Sequence, residues 1–147
     1  MKRIVTLVLA IAVTGLLAPA ASATATERSG ALHVTKECSH YGLGAGDFCT
    51  IRTSNINAIR PDMRVVYASA ADLNLGVLDS DLVIDGPGSN NAFGHVVLQL
   101  STLTGVVALS GGTGRFSHLH AQASVACPAF PVCSWDGTYS FGAPGRD

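Results

Sequence analysis

The sequence predicts an all-β fold, an eight-stranded antiparallel barrel, and three observations lead there. Short runs rich in β-branched or alternating residues recur at even spacing along the chain, turn-forming residues separate them, and no stretch carries the period of an amphipathic helix. Short strands in series without intervening helices close most simply as an antiparallel meander.

The strands follow in order. Ala31–Lys36 alternates Leu32 and Val34 with His33 and Thr35. Phe48–Ile59 is rich in Thr, Ile and Asn, and Met63–Ala71 carries Val65, Val66 and Tyr67. Val77–Asp85, Ala92–Leu100, Thr104–Ser110, Arg115–Ala126 and Cys133–Phe141 complete the eight. Arg60-Pro61-Asp62, Asp72 to Gly76, Gly86 to Asn91 and Ser101-Thr102-Leu103 are turn material between them. The sharpest reversal is expected at Gly111, Gly112 and Gly114, which reach backbone angles that residues with a Cβ avoid. These glycines do not form a phosphate loop or a dinucleotide fingerprint. The first needs Gly-Lys-Ser/Thr and the second a glycine opening a helix, whereas Gly114 is followed by Arg115-Phe116-Ser117.

The N-terminus reads as an address. Lys2 and Arg3 precede an apolar run from Ile4 to Leu17, then Pro19 and the small-residue site Ala21-Ser22-Ala23, the pattern of a secretory signal peptide over residues 1–23. The run falls short of the about 20 apolar residues that span a bilayer. Residues 24–30 form a leader without apolar periodicity, and residues 31–147 one barrel domain. The expectation is a secreted, soluble protein with no membrane attachment after cleavage.

Export leads to oxidising surroundings, so Cys38, Cys49, Cys127 and Cys133 are expected as disulfides. Of the three connectivities, Cys38 with Cys49 and Cys127 with Cys133 is favoured, since each pair brackets a turn-like segment. Zinc is set aside because no C-x-x-C spacing occurs, and no cofactor is implied. The chain has 9 basic and 10 acidic side chains, with no Lys/Arg cluster to meet a phosphate backbone, which excludes nucleic acid as a partner. Apolar residues make up 48% of the chain, a surplus that either a partner copy in a homo-oligomer or an apolar lumen would absorb.

Phe93-Gly94-His95-Val96-Val97-Leu98-Gln99, followed by Val107 to Phe116 with its Gly-Gly-x-Gly-x-Phe turn, resembles the middle of the allene oxide cyclase and dirigent barrels. The whole exported chain looks most like secreted actinobacterial proteins of that barrel type, with Asp85-Gly86-Pro87-Gly88 and Trp135 to Phe141 as further marks. The resemblance implies an eight-stranded barrel and a lumen in which plant cyclases close a ring in a fatty-acid epoxide. It transfers fold more securely than chemistry, because neither the cyclases' early acidic residue nor the dirigent aspartates can be matched here.

The candidate ligand-binding side chains are Tyr67, Asp81, His95, Phe116, His118 and His120. His118 and His120 are expected on one strand face with Phe116, opposite Leu119, Ala121, Ala123 and Val125. That face is either a polar exterior or, if inward, a source of proton donors and acceptors. His-x-His with His95 could bind zinc, and Asp79, Asp81 and Asp85 could face a cation, but solvated strand faces account for both sets. Tyr67 and Tyr139 suit a lumen wall and Trp135 a plug. No G-x-S-x-G turn supports a catalytic triad. The leading expectation is a barrel that holds an apolar or amphipathic small molecule. The alternatives are a cyclase or isomerase that confines a reactive intermediate, and a filled barrel with a structural role at the cell surface.

Overall fold

In a computed structural model, which describes residues 28–142, eight strands pair in chain order and the last returns to the first, closing an up-and-down antiparallel barrel. The signal peptide expected over residues 1–23, residues 24–27 of the expected leader and the last five residues lie outside the described residues. The strands are β1 (Arg28–Glu37), β2 (Phe48–Ser54), β3 (Arg64–Tyr67), β4 (Val77–Asp85), β5 (Asn91–Gln99), β6 (Thr104–Gly112), β7 (Leu119–Ala129) and β8 (Val132–Phe141). Among the described residues no helix is long and apolar enough to cross a membrane.

Several strand limits differ from expectation for local reasons. β1 begins at Arg28 rather than Ala31, because Arg28, Ser29 and Gly30 pair with Phe141, Ser140 and Tyr139 and so complete the closing ladder. β2 ends at Ser54, where the Asn55 side chain accepts from the His33 amide and donates to the Ala31 carbonyl, drawing the chain out of the ladder. Gly114–Phe116 forms a turn of 3-10 helix instead of opening β7, and His118 follows with φ of 62°. β7 therefore starts at Leu119.

Alternation decides what fills the barrel. Leu32, Val34 and Lys36 follow one another on the inner face of β1, with buried Cys38 just beyond its end, and Leu119, Ala121, Ala123, Val125 and Cys127 on that of β7. Both disulfides form as expected, Cys38–Cys49 and Cys127–Cys133. Closing such short loops contributes about 2 to 3 kcal/mol each on a chain-entropy account.

Eight strands enclose little space, so some inward positions must be nearly empty of side chain. Gly105 of β6 lies between Leu98 and Val125 on its neighbours, and Gly137 of β8 between Leu32 and Ala123. A Cβ at Gly105 would stand 2.0 Å from the Val97 carbonyl oxygen, and one at Gly137 2.0 Å from that of Gln122. These glycines let adjacent backbones approach where the strands curve.

The two ends are built differently. At one end Phe116, Leu119, Ile56 and Ile59 are buried among the β2–β3 and β6–β7 connections and close the barrel. The other end carries both disulfides and stays open. Gly137→Ala is expected to lower stability to urea by about 2 kcal/mol or more, since backbone must move to admit the methyl group. The exposed neighbour Thr138→Ala should cost less than about 1 kcal/mol, and equal effects at the two positions would refute this account of closure.

Candidate functional site

The open end is a cup. Its floor and walls come from inward residues near the ends of the strands: Lys36, Cys49, Tyr67, Leu78, Leu98 and Val125. Its volume is about 460 Å³, within the roughly 300–1,000 Å³ of small-molecule sites. Tyr41 and Leu43, on the β1–β2 loop, and Leu100, Leu103 and Phe130, at the β5–β6 and β7–β8 connections, form the rim.

The β1–β2 loop holds its shape through Asp47, whose carboxylate accepts from the amides of Gly42 at 2.8 Å and Gly44 at 2.7 Å. It is sewn to β3 by the Gly46 amide donating to the Tyr67 carbonyl (2.7 Å) and the Tyr67 amide to the Asp47 carbonyl (3.0 Å). The Cys38–Cys49 bridge fixes its base, and Cys38 Sγ touches Cys133 Sγ at 3.9 Å, so the two disulfides meet in the cup wall.

One group breaks the apolar lining. Lys36 occupies the inward position after Leu32 and Val34, is 3% exposed, and points its ammonium into the barrel. Nζ donates to the Tyr67 hydroxyl at 2.5 Å and lies over two aromatic faces, 4.8 Å from the Trp135 ring centre and 5.2 Å from that of Tyr67. Among the described residues no carboxylate forms a salt bridge with it. Burial without a counter-charge penalises the ammonium and lowers its pKa to about 7.

Tyr67 is raised well above the ordinary phenol range by burial and then by Tyr41, and so keeps its proton. Its hydroxyl lies 3.5 Å from Cys49 Sγ. A disulfide sulfur has no hydrogen, so the phenol donates there, to a weak acceptor. Tyr41 packs its ring 5.0 Å from that of Tyr67, and burial followed by the charge of Asp47 raises it to about 12. The Tyr41 hydroxyl has no hydrogen-bond partner among the described residues. The cup thus presents an amine and two phenols in an otherwise apolar enclosure.

Of the six side chains expected to meet a ligand, Tyr67 lines the cup. Phe116 is fully buried but at the closed end. Asp81, His95, His118 and His120 are exposed on the outer surface. His95 sits between Asp79 (Nε2 to carboxylate, 2.8 Å) and Asp81 (Nδ1 to carboxylate, 2.8 Å), and the Asp81 hydrogen bond leads the influences that raise its pKa. His118, just before β7, and His120 on β7 are both exposed, and the buried neighbours are Leu119 and Ala121. Among the described residues no group of three or more His, Cys, Asp or Glu side chains is placed to hold a metal. Lys36 escaped the sequence reading although the signal was present, since it shares the parity of Leu32 and Val34.

Comparison with family models, curated proteins and solved structures finds no match to this chain.

The buried amine makes stability depend on pH. Lys36 is protonated in the unfolded chain up to about pH 10.5 but in the barrel only to about pH 7, so between these values the unfolded state binds more protons and stability rises with pH. Urea unfolding of the wild type should show increasing stability from pH 7 to 9. Lys36→Met should be more stable than the wild type at pH 7 and lose that slope. A slope unchanged in Lys36→Met would exclude Lys36 as its source.

Proposed function

We propose that this protein is an exported carrier that holds an apolar or amphipathic small molecule in the open end of its barrel. The observation that carries the reading is the cup itself: about 460 Å³ of mostly apolar enclosure with its polar groups gathered around Lys36, Tyr67 and Tyr41. Apolar walls supply affinity and a few convergent polar groups supply orientation. A lumen packed from end to end, as a purely structural barrel would have, does not fit this cup. The two disulfides and the signal-peptide pattern of residues 1–23 support secretion.

The resemblance to allene oxide cyclase and dirigent barrels belongs to this proposal and rests on Ala92–Val125. A second reading, a cyclase or isomerase that confines a reactive intermediate away from water, is favoured by one specific feature, the amine and phenol in contact at the cup floor.

Titration with N-phenylnaphthylamine, an uncharged apolar fluorophore, tests the carrier reading. The wild type should show saturable enhancement, and Leu98→Trp, which fills the cup from one wall, should weaken it at least about tenfold while the strand circular dichroism is retained. No saturable binding by the wild type, or equal binding by the folded variant, would overturn the proposal.

A further inference from the structure

We propose that the cup takes apolar aldehydes and holds them covalently, through a reversible imine between the ligand's carbonyl carbon and Lys36 Nζ. This rests on the reading of the cup as a ligand site and adds the chemistry of the ligand's polar end.

The geometry favours a carbonyl over other polar ends. A carboxylate would pair with the ammonium and accept from the phenols, but would use Lys36 only as a positive charge. An alcohol would engage the same groups, yet a neutral hydroxyl gains nothing from an amine that a phenol does not supply. A carbonyl carbon uses what is particular to Lys36, an unpaired amine excluded from water and in contact with an acid. Burial lowers the pKa of the ammonium to about 7, which leaves a substantial share of nucleophilic amine near neutrality. The Tyr67 hydroxyl, otherwise donating only to a disulfide sulfur at 3.5 Å, is free to turn toward the carbonyl oxygen. The Trp135 and Tyr67 faces, 4.8 and 5.2 Å from Nζ, would stabilise the iminium cation without a counter-ion.

The step balances without an oxidant or reductant. The Nζ lone pair attacks the carbonyl carbon while the carbonyl π pair moves to oxygen, which takes the Tyr67 proton. Nζ then returns a proton to the tyrosinate. The carbinolamine hydroxyl, protonated again by Tyr67, leaves as water as the nitrogen lone pair forms the C=N bond, and the iminium N–H then gives its proton back to the tyrosinate. Amine and aldehyde give imine and one water, and hydrolysis through the same steps releases the ligand.

The sequence makes the test clean, because Lys36 is one of two lysines and the other is Lys2, within the signal-peptide pattern. The protein is incubated with decanal and sodium cyanoborohydride, which reduces the imine to a stable secondary amine, and then mapped by peptide mass. The expected result is one adduct on Lys36, heavier by the mass of the aldehyde less its oxygen. Labelling should exceed that by acetaldehyde at equal concentration at least about tenfold and fall by a similar factor when N-phenylnaphthylamine is present in excess. The amino terminus, labelled in both cases, reports reagent activity.

Lys36→Arg should lose the adduct on that peptide. Labelling of Lys36 that is equal for decanal and acetaldehyde, or unaffected by the fluorophore, would overturn the inference by showing chemistry independent of the cup. An unlabelled Lys36 in protein that still binds the fluorophore would overturn the imine and leave the carrier reading standing. Loss of fluorophore binding in the wild type would remove both.

Discussion

Closure of β1 on β8 is the constraint from which the rest follows. The ladder runs unbroken from Arg28 opposite Phe141 to Glu37 opposite Val132, ten pairs that join the first strand to the last. Once that seam is made, every strand has an inside and an outside, and the position of a residue along its strand determines whether it meets water or the lumen. Lys36 is inside because it is two residues beyond Val34 in a strand that cannot turn over without breaking the seam. Its burial is therefore imposed by register and tolerated at a cost in desolvation, which is what makes it chemically distinct from a surface lysine.

The asymmetry of the barrel is a matter of side-chain volume. Phe116, Leu119, Ile56 and Ile59 occupy one end, and Trp135 lies below Lys36. At the other end the inward positions hold disulfide sulfur, Leu, Val, Tyr and Lys36, and residues of the connections complete the lining. The disulfides have a double part there. Each shortens the freedom of a rim connection, and together they line the wall with sulfur, a soft apolar surface whose polar partner among the described residues is a phenol.

Much of the fold was legible because its signals are local and repeat. Period-two alternation, turn residues at even spacing and the absence of a helical period give eight strands and their order, and the bracketing of turn segments gives the cysteine pairing. The inward face of β7 was ambiguous by composition, since small residues and histidines are both admissible in a lumen. It was settled by Leu119, Ala121, Ala123 and Val125 packing inward. The departures came where a side chain or a glycine overrides the pattern. Gly114 directs the chain into a 3-10 turn, so Phe116 and His118 no longer share a strand face. Lys36 was hidden by a general preference: a lysine at the end of an alternating run ordinarily reaches water, and only the extension of β1 to Glu37 and the disulfide beyond it hold this one in.

The property at the centre of the site is an amine whose pKa the apolar cup brings down to about 7. Following the ε-methylene resonances of Lys36 by NMR as the pH is raised measures that directly, and with so few lysines the assignment is simple. A midpoint near pH 7 is the result this account predicts. A midpoint near 10.5, the value of a lysine in water, would contradict it.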